Sequence, residues 1–199
     1  MTSVTTYKTL DFPSFKHPFT AILAGPSQTG KSTFLKDFIY FKNVMIDPAP
    51  DKIVWFFGIH QKLYDEIRDV TFVEGFPSNY TEYLGTNTLF ILDDLMSECG
   101  GDKKVSNLFT KGSHHLSLSV IFITQNFFHK GKEMRDIRLN TQYLFLFKNR
   151  RDLNQITHLG RQLYPDRLKF FQEAYRIATE KPFSYLLIDL IIMLMRSID

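Results

Sequence analysis

Short, continuous apolar runs alternate along this chain with polar stretches that carry a helical period, and that alternation predicts its architecture. Residues 19–24, 53–57, 88–92, 119–124 and 142–147 read as five strands. Their apolar character is unbroken, as in strands of a parallel sheet covered on both faces. Residues 31–41 set Phe34, Leu35, Phe38 and Ile39 on one side of a helix, and residues 153–163 do the same with Leu153, Ile156, Leu159 and Leu163. Shorter helices are expected over 61–69 and 104–111. Another begins near Pro165, a residue tolerated at the first helical position. Lys181-Pro182 stops that helix, and a last strand follows over 183–188. Pro48 and Pro50, the 75–79 turn and the glycines at 100–101 punctuate the pattern. Strands alternating with helices predict an α/β fold with a mainly parallel sheet flanked by helices. The expected organisation is a flexible N-terminal arm over 1–18, one domain over 19–190 and a C-terminal tail over 191–199.

Composition narrows this. A chain of 199 residues holds one sizeable core, and 44% hydrophobic with 23% charged residues is the balance of a folded chain. The single cysteine, Cys99, excludes an internal disulfide framework and a thiolate zinc site, and fits a reducing compartment. The longest apolar run, residues 183–195, has 13 residues and carries Asp189, too short for a membrane span. No signal-like apolar segment occurs in the first 18 residues. Residues 130–181 hold 12 Lys/Arg against 6 Asp/Glu, whereas the rest of the chain holds 12 against 15. Such a basic third suits polyanion contacts, although a mixed solvated surface accounts for the charge equally well.

The chemistry concentrates after the first strand. Gly25-Pro26-Ser27-Gln28-Thr29-Gly30-Lys31-Ser32 fits the phosphate-loop pattern G-x-x-x-x-G-K-[ST] without a mismatch, between an apolar strand and a helix that begins with Lys31, Ser32 and Thr33. Glycines let consecutive backbone N–H groups face phosphate oxygens, and the helix N-terminus adds positive potential. Lys31 would neutralise the β and γ phosphates of ATP, and Ser32 would offer its hydroxyl to Mg²⁺. Residues 89–94 supply the complement: an apolar strand delivering Asp93 to hold the magnesium, with Asp94 placed to orient or activate water. Gln125 ends the fourth strand, where an amide can sense the γ-phosphate or the water. Arg150 and Arg151 follow the fifth strand. Either is a candidate arginine finger, and ordinary surface arginines are the competing reading. His114 and His115 are adjacent, which is not the spacing of a helical metal pair. Phe127 and Phe128 suit either a DNA-facing or a core position.

Taken in order, residues 25–32, 90–94, 111–115, 121–127 and 147–152 resemble the FtsK–HerA-type DNA-packaging ATPases, most of all the poxvirus-like branch of virophages, Polinton (Maverick) elements and adintovirus-like genomes. The resemblance runs over about residues 12–189. It implies a RecA-like P-loop NTPase core in which the Gln125 strand lies between the phosphate-loop strand and the Asp93-Asp94 strand. It also implies a homo-oligomeric ring that hydrolyses ATP while threading double-stranded DNA into a capsid, through a capsid or portal protein. By position it assigns Lys31, Asp94 and Gln125 to catalysis and Arg151 to the finger. The implied setting is intracellular, in a host nucleus or viral factory, or within the virion. Two other classes stay open: a non-motor phosphotransferase such as a nucleotide kinase or GTPase, and an inactive domesticated DNA-binding derivative. No Asn-Lys-x-Asp guanine-reading motif is present, which counts against the GTPase.

Overall fold

The computed structural model describes residues 14–93, 95, 103–112, 116–128, 131–149 and 153–191. Strand β1 (Phe15–Lys16) precedes β2 (Thr20–Ala24), which leads through the phosphate loop into α1 (Lys31–Tyr40). A single turn α2 (Lys42–Met45), β3 (Ile46–Asp47) and β4 (Lys52–Phe57) follow. Next come a 3-10 helix (Lys62–Glu66), β5 (Thr71–Glu74), a second 3-10 turn (Tyr80–Tyr83) and β6 (Thr88–Asp93). Helix α3 (Lys103–Asn107) passes into a π-helical turn (Leu108–Gly112) before β7 (Leu118–Thr124), α4 (Lys132–Leu139) and β8 (Tyr143–Phe147). The chain closes with α5 (Leu153–Leu163), a 3-10 turn (Pro165–Arg167), α6 (Leu168–Ala178) and β9 (Tyr185–Asp189).

Seven strands form one sheet in the order β5-β4-β6-β7-β2-β8-β9. All neighbours are parallel except β9, which runs antiparallel to β8. This is the mainly parallel α/β sheet that the sequence predicts, and β7 lies between β2 and β6 as the resemblance implies. Because side chains alternate across a strand, each continuous apolar run feeds two cores at once. Ile22, Val54, Phe56, Phe90, Leu92, Val120, Phe122 and Leu144 face one side, with Met134, Ile137, Ile156, Leu159 and Phe171 packed against them. Ala21, Leu23, Trp55, Leu89, Ile91, Ile121 and Phe145 face the other, covered by Leu35, Phe38 and Ile39 of α1. Helices α5 and α6 meet at Gly160, where a Cβ would lie 2.6 Å from Phe171 Cδ1 and 2.7 Å from Leu168 Cδ1.

Four expectations need correction. The folded body begins before residue 19: β1 pairs with β3, and Phe15 is buried against Phe19, Phe38 and Tyr143. The helix expected over 104–111 is a short α-helix ending in a π turn. The one expected from Pro165 starts as a 3-10 turn and becomes α-helical at Leu168. The last strand starts at Tyr185, because Phe183 lies in a turn with φ 63°.

Candidate functional site

The phosphate loop leaves the C-terminal end of β2, and every neighbour it meets is set by strand register. Ala24 pairs with Thr124 of β7 and Leu146 of β8, so the loop opens between these two strand ends. Gly25 N–H donates to the Thr124 carbonyl at 3.1 Å, the last ladder bond before the chain curls away. A Cβ at Gly25 would sit 2.7 Å from Phe147 Cβ, so only glycine lets the loop pass this close to β8. Gln28 and Gly30 adopt positive φ, 63° and 93°, which turns the backbone into the start of α1. Thr29 Oγ1 donates to the Pro26 carbonyl at 2.8 Å and braces the loop from within.

Lys31 is 8% exposed, and its Nζ donates to the carbonyls of Gly25 and Pro26 at 2.6 Å each. The ammonium is thus held under the mouth of the loop. Ser27, Gln28, Gly30, Lys31, Ser32 and Thr33 form one wall of a cleft of about 470 Å³. Across it stand Asp93 of β6, Ile123 and Thr124 of β7, Gln125, and Gln61 and Leu63 from the segment after β4. Gly25, Pro26 and Thr29 shape the loop behind this wall. Asp93 is 4% exposed and accepts a hydrogen bond from Tyr64 Oη at 2.9 Å. Tyr64 itself is buried on the 3-10 helix, packed against Trp55, Phe57 and Phe72.

Sequence reasoning named Lys31, Ser32, Asp93 and Gln125, and the fold brings all four to this cleft. Gln61, Leu63 and Tyr64 were missed. Their arrival depends on β4 pairing with β6, which aligns Phe57 with Asp93. Asp94, Arg150, Arg151, His114, His115 and Cys99 lie outside the described residues. Phe127 and Phe128 pack on each other at 5.1 Å and against the core, with the Arg138 guanidinium 5.7 Å from each ring. Burial and the nearby Arg135 hold the Arg138 guanidinium below its usual range.

The residues present fit a magnesium nucleotide. The ion usually takes one or two carboxylates, keeps several waters and shares phosphate oxygens, so a single buried Asp and a hydroxyl lining the same cleft meet the protein's part. Among the described residues no group of three His, Cys, Asp or Glu side chains forms a metal cluster. A buried cation, a glycine-shaped loop and a helix N-terminus on one wall, with a carboxylate and an amide opposite, can grip a polyphosphate and orient a water near its end.

No family model matches the chain, and no curated protein matches it. Among solved structures it is similar to the genome packaging NTPase B204 from Sulfolobus turreted icosahedral virus 2. In that protein's complex with ATP-gammaS the TM-score is 0.59 at 16% identity, over 88% of this chain and 94% of the other. The complex with AMP gives 0.57 at the same identity and coverage. Identity this low speaks to the fold alone, and the likeness is that of a mainly parallel sheet flanked by helices.

Proposed function

We propose that this protein is an ATP-hydrolysing motor that translocates double-stranded DNA and packages a viral or virus-like genome into capsids. The observation that carries the reading is the convergence of Lys31, Ser32, Asp93 and Gln125 on one cleft, with β7 lying between β2 and β6. The likeness in fold to B204 supports the packaging role.

In this reading Lys31 would exchange the Gly25 and Pro26 carbonyls for the β and γ phosphates, while Ser32 and Asp93 would hold Mg²⁺. When bound, the ion neutralises charge on the phosphate oxygens. Asp94 orients the attacking water, and Gln125 reports whether the γ-phosphate is present. Water attacks the γ-phosphorus, the bond to the β–γ bridging oxygen breaks, and ADP and phosphate leave. Arg151 would act across a subunit interface in a homo-oligomeric ring. Fingers of this kind contribute about 10³ to 10⁵ in rate, so its loss should show in turnover far more than in ATP affinity.

DNA contact is assigned to the basic third of the chain, residues 130–181. Lys132, Arg135, Arg161, Arg167, Lys169, Arg176 and Lys181 are exposed there. Binding through them would be to phosphates, independent of sequence and steeply weakened by salt. A capsid or portal protein completes the machine, in an intracellular setting (host nucleus, viral factory or virion). The test is ATP hydrolysis with and without duplex DNA, beside a molecular-mass measurement. Stimulation by DNA of any sequence in an oligomer is the expected result. Turnover indifferent to DNA would point to a non-motor phosphotransferase, and absence of turnover to a binding derivative.

A further inference from the structure

Lys181-Pro182-Phe183-Ser184 is a tight turn that breaks a local rule. Ser184 N–H and Oγ–H both reach the Lys181 carbonyl, at 3.4 and 2.6 Å, closing four residues with Pro182 second and Phe183 third. Phe183 has φ 63°, and a turn with proline second and positive φ third normally carries glycine or asparagine there. An aromatic residue held in this conformation is strained, and such strain persists where a site uses it.

The ring's location suggests the use. A Cβ on Gly30 would meet Phe183 Cδ1 at 3.0 Å and Phe183 Cβ at 3.1 Å, so the ring lies against the last glycine of the phosphate loop, at the start of α1. Phe183 is nevertheless 69% exposed. It is on the opposite side of the loop from the Asp93, Gln61 and Gln125 wall of the cleft. Asp93, Gln61 and Gln125 follow β6, β4 and β7, which lie to one side of β2, whereas Phe183 leads into β9, beyond β8 on the other side. A triphosphate with its γ end toward Asp93 and Gln125 sends its sugar and base toward β8 and β9.

We propose that Phe183 is the stacking platform for the base of the bound nucleotide. The proposal rests on the reading of the Lys31 loop as a nucleotide site and adds to it the element that grips the base. A phenyl ring offers a π face and no hydrogen-bonding groups, so it holds any purine and selects weakly between adenine and guanine.

The test is calorimetric titration of Mg-ATP, Mg-GTP and magnesium tripolyphosphate into wild type, Phe183→Gly, Phe183→Leu and Phe183→Trp. Glycine suits the positive φ, so Phe183→Gly should melt no lower than wild type while losing the ring. Leucine keeps an apolar contact with Gly30 but has no π face. Both variants should bind ATP and GTP on the order of tenfold more weakly, with tripolyphosphate affinity unchanged. Phe183→Trp should bind both nucleotides at least as well as wild type. Unchanged ATP affinity in Phe183→Gly would overturn the proposal. So would ATP and tripolyphosphate weakening in the same proportion, since the ring would then only support the loop. A wild type that binds tripolyphosphate as tightly as ATP overturns it too. If wild type binds neither, the nucleotide-site reading itself fails, an outcome distinct from the others.

Discussion

Tyr64→Phe removes the hydrogen bond from the missed 3-10 helix to the carboxylate at the centre of the site. The phenyl ring keeps the contacts with Trp55 at 5.2 Å and Phe72 at 4.9 Å, and only the hydroxyl is lost. That hydroxyl donates at 2.9 Å to a carboxylate that is 4% exposed. Hydrogen bonds to charged groups contribute about 1.5–3 kcal/mol, more than neutral ones. For a chain of this size each kcal/mol moves the melting temperature by roughly 2–4 °C, so a fall of about 3–12 °C is expected. A denaturation cycle with Tyr64→Phe, Asp93→Ala and the double variant should give a coupling of about 1 kcal/mol or more. The same bond fixes the orientation of Asp93, so the Mg²⁺ concentration for half-maximal turnover should rise about tenfold in Tyr64→Phe. Additive effects in the cycle, with an unchanged Mg²⁺ requirement, would refute the reasoning.

Two further outcomes concern the frame around the site. His17 Nε2–H donates to the Ser117 carbonyl at 3.1 Å, and Nδ1 lies 2.6 Å from Ser119 Oγ, whose hydroxyl can donate to it when the ring is neutral. Burial lowers the His17 imidazole from its usual value of about 6.5, against the opposing pull of the Ser117 carbonyl and Asp51. The unfolded chain then binds the extra proton first. This contribution to stability is full above about pH 6.5 and is lost as pH falls below it toward the lower folded value. Urea midpoints at pH 7.5 and 5.0 should therefore differ more in wild type than in His17→Gln, and equal differences would rule this out. Gly160→Ala should destabilise: crowding Phe171 and Leu168 costs about 1–3 kcal/mol, which exceeds the ~1 kcal/mol that alanine gains in a helix. A more stable variant in urea denaturation would show that α5 and α6 can separate freely.

How much of this was legible in the chain depends on where the hydrophobic signal was strong. The five central strands are visible because burial on both faces makes them continuously apolar, and α1 is visible because Leu35, Phe38 and Ile39 share a stripe. Edge strand β5 is not, since Phe72 and Val73 are only half-buried between exposed Thr71 and Glu74. Helix α4 is strongly polar, with only Met134 and Ile137 buried, so its period carries little weight. Phe15 is a lone aromatic in a polar segment, and nothing local reveals that it enters the core beside α1. The site divides the same way. Lys31, Ser32 and Asp93 stand in local patterns whose chemistry is evident from spacing. Gln61 reaches the cleft, and Tyr64 reaches Asp93 behind it, through pairing of strands far apart in sequence, which no spacing encodes. Phe183 looked like the first residue of a strand because an aromatic is the natural start for one. Only the backbone reveals a turn residue in a glycine-like conformation.

The central claim is that the loop around Lys31 is a working nucleotide site, and the most direct measurement is the rate of ATP hydrolysis by wild type and Lys31→Ala at matched folded concentration. Wild type should turn over ATP in the presence of Mg²⁺. Lys31→Ala should be inactive and bind ATP more weakly, because the buried ammonium held at 2.6 Å by Gly25 and Pro26 is the charge assigned to the β and γ phosphates. Near-normal turnover by Lys31→Ala would contradict the account.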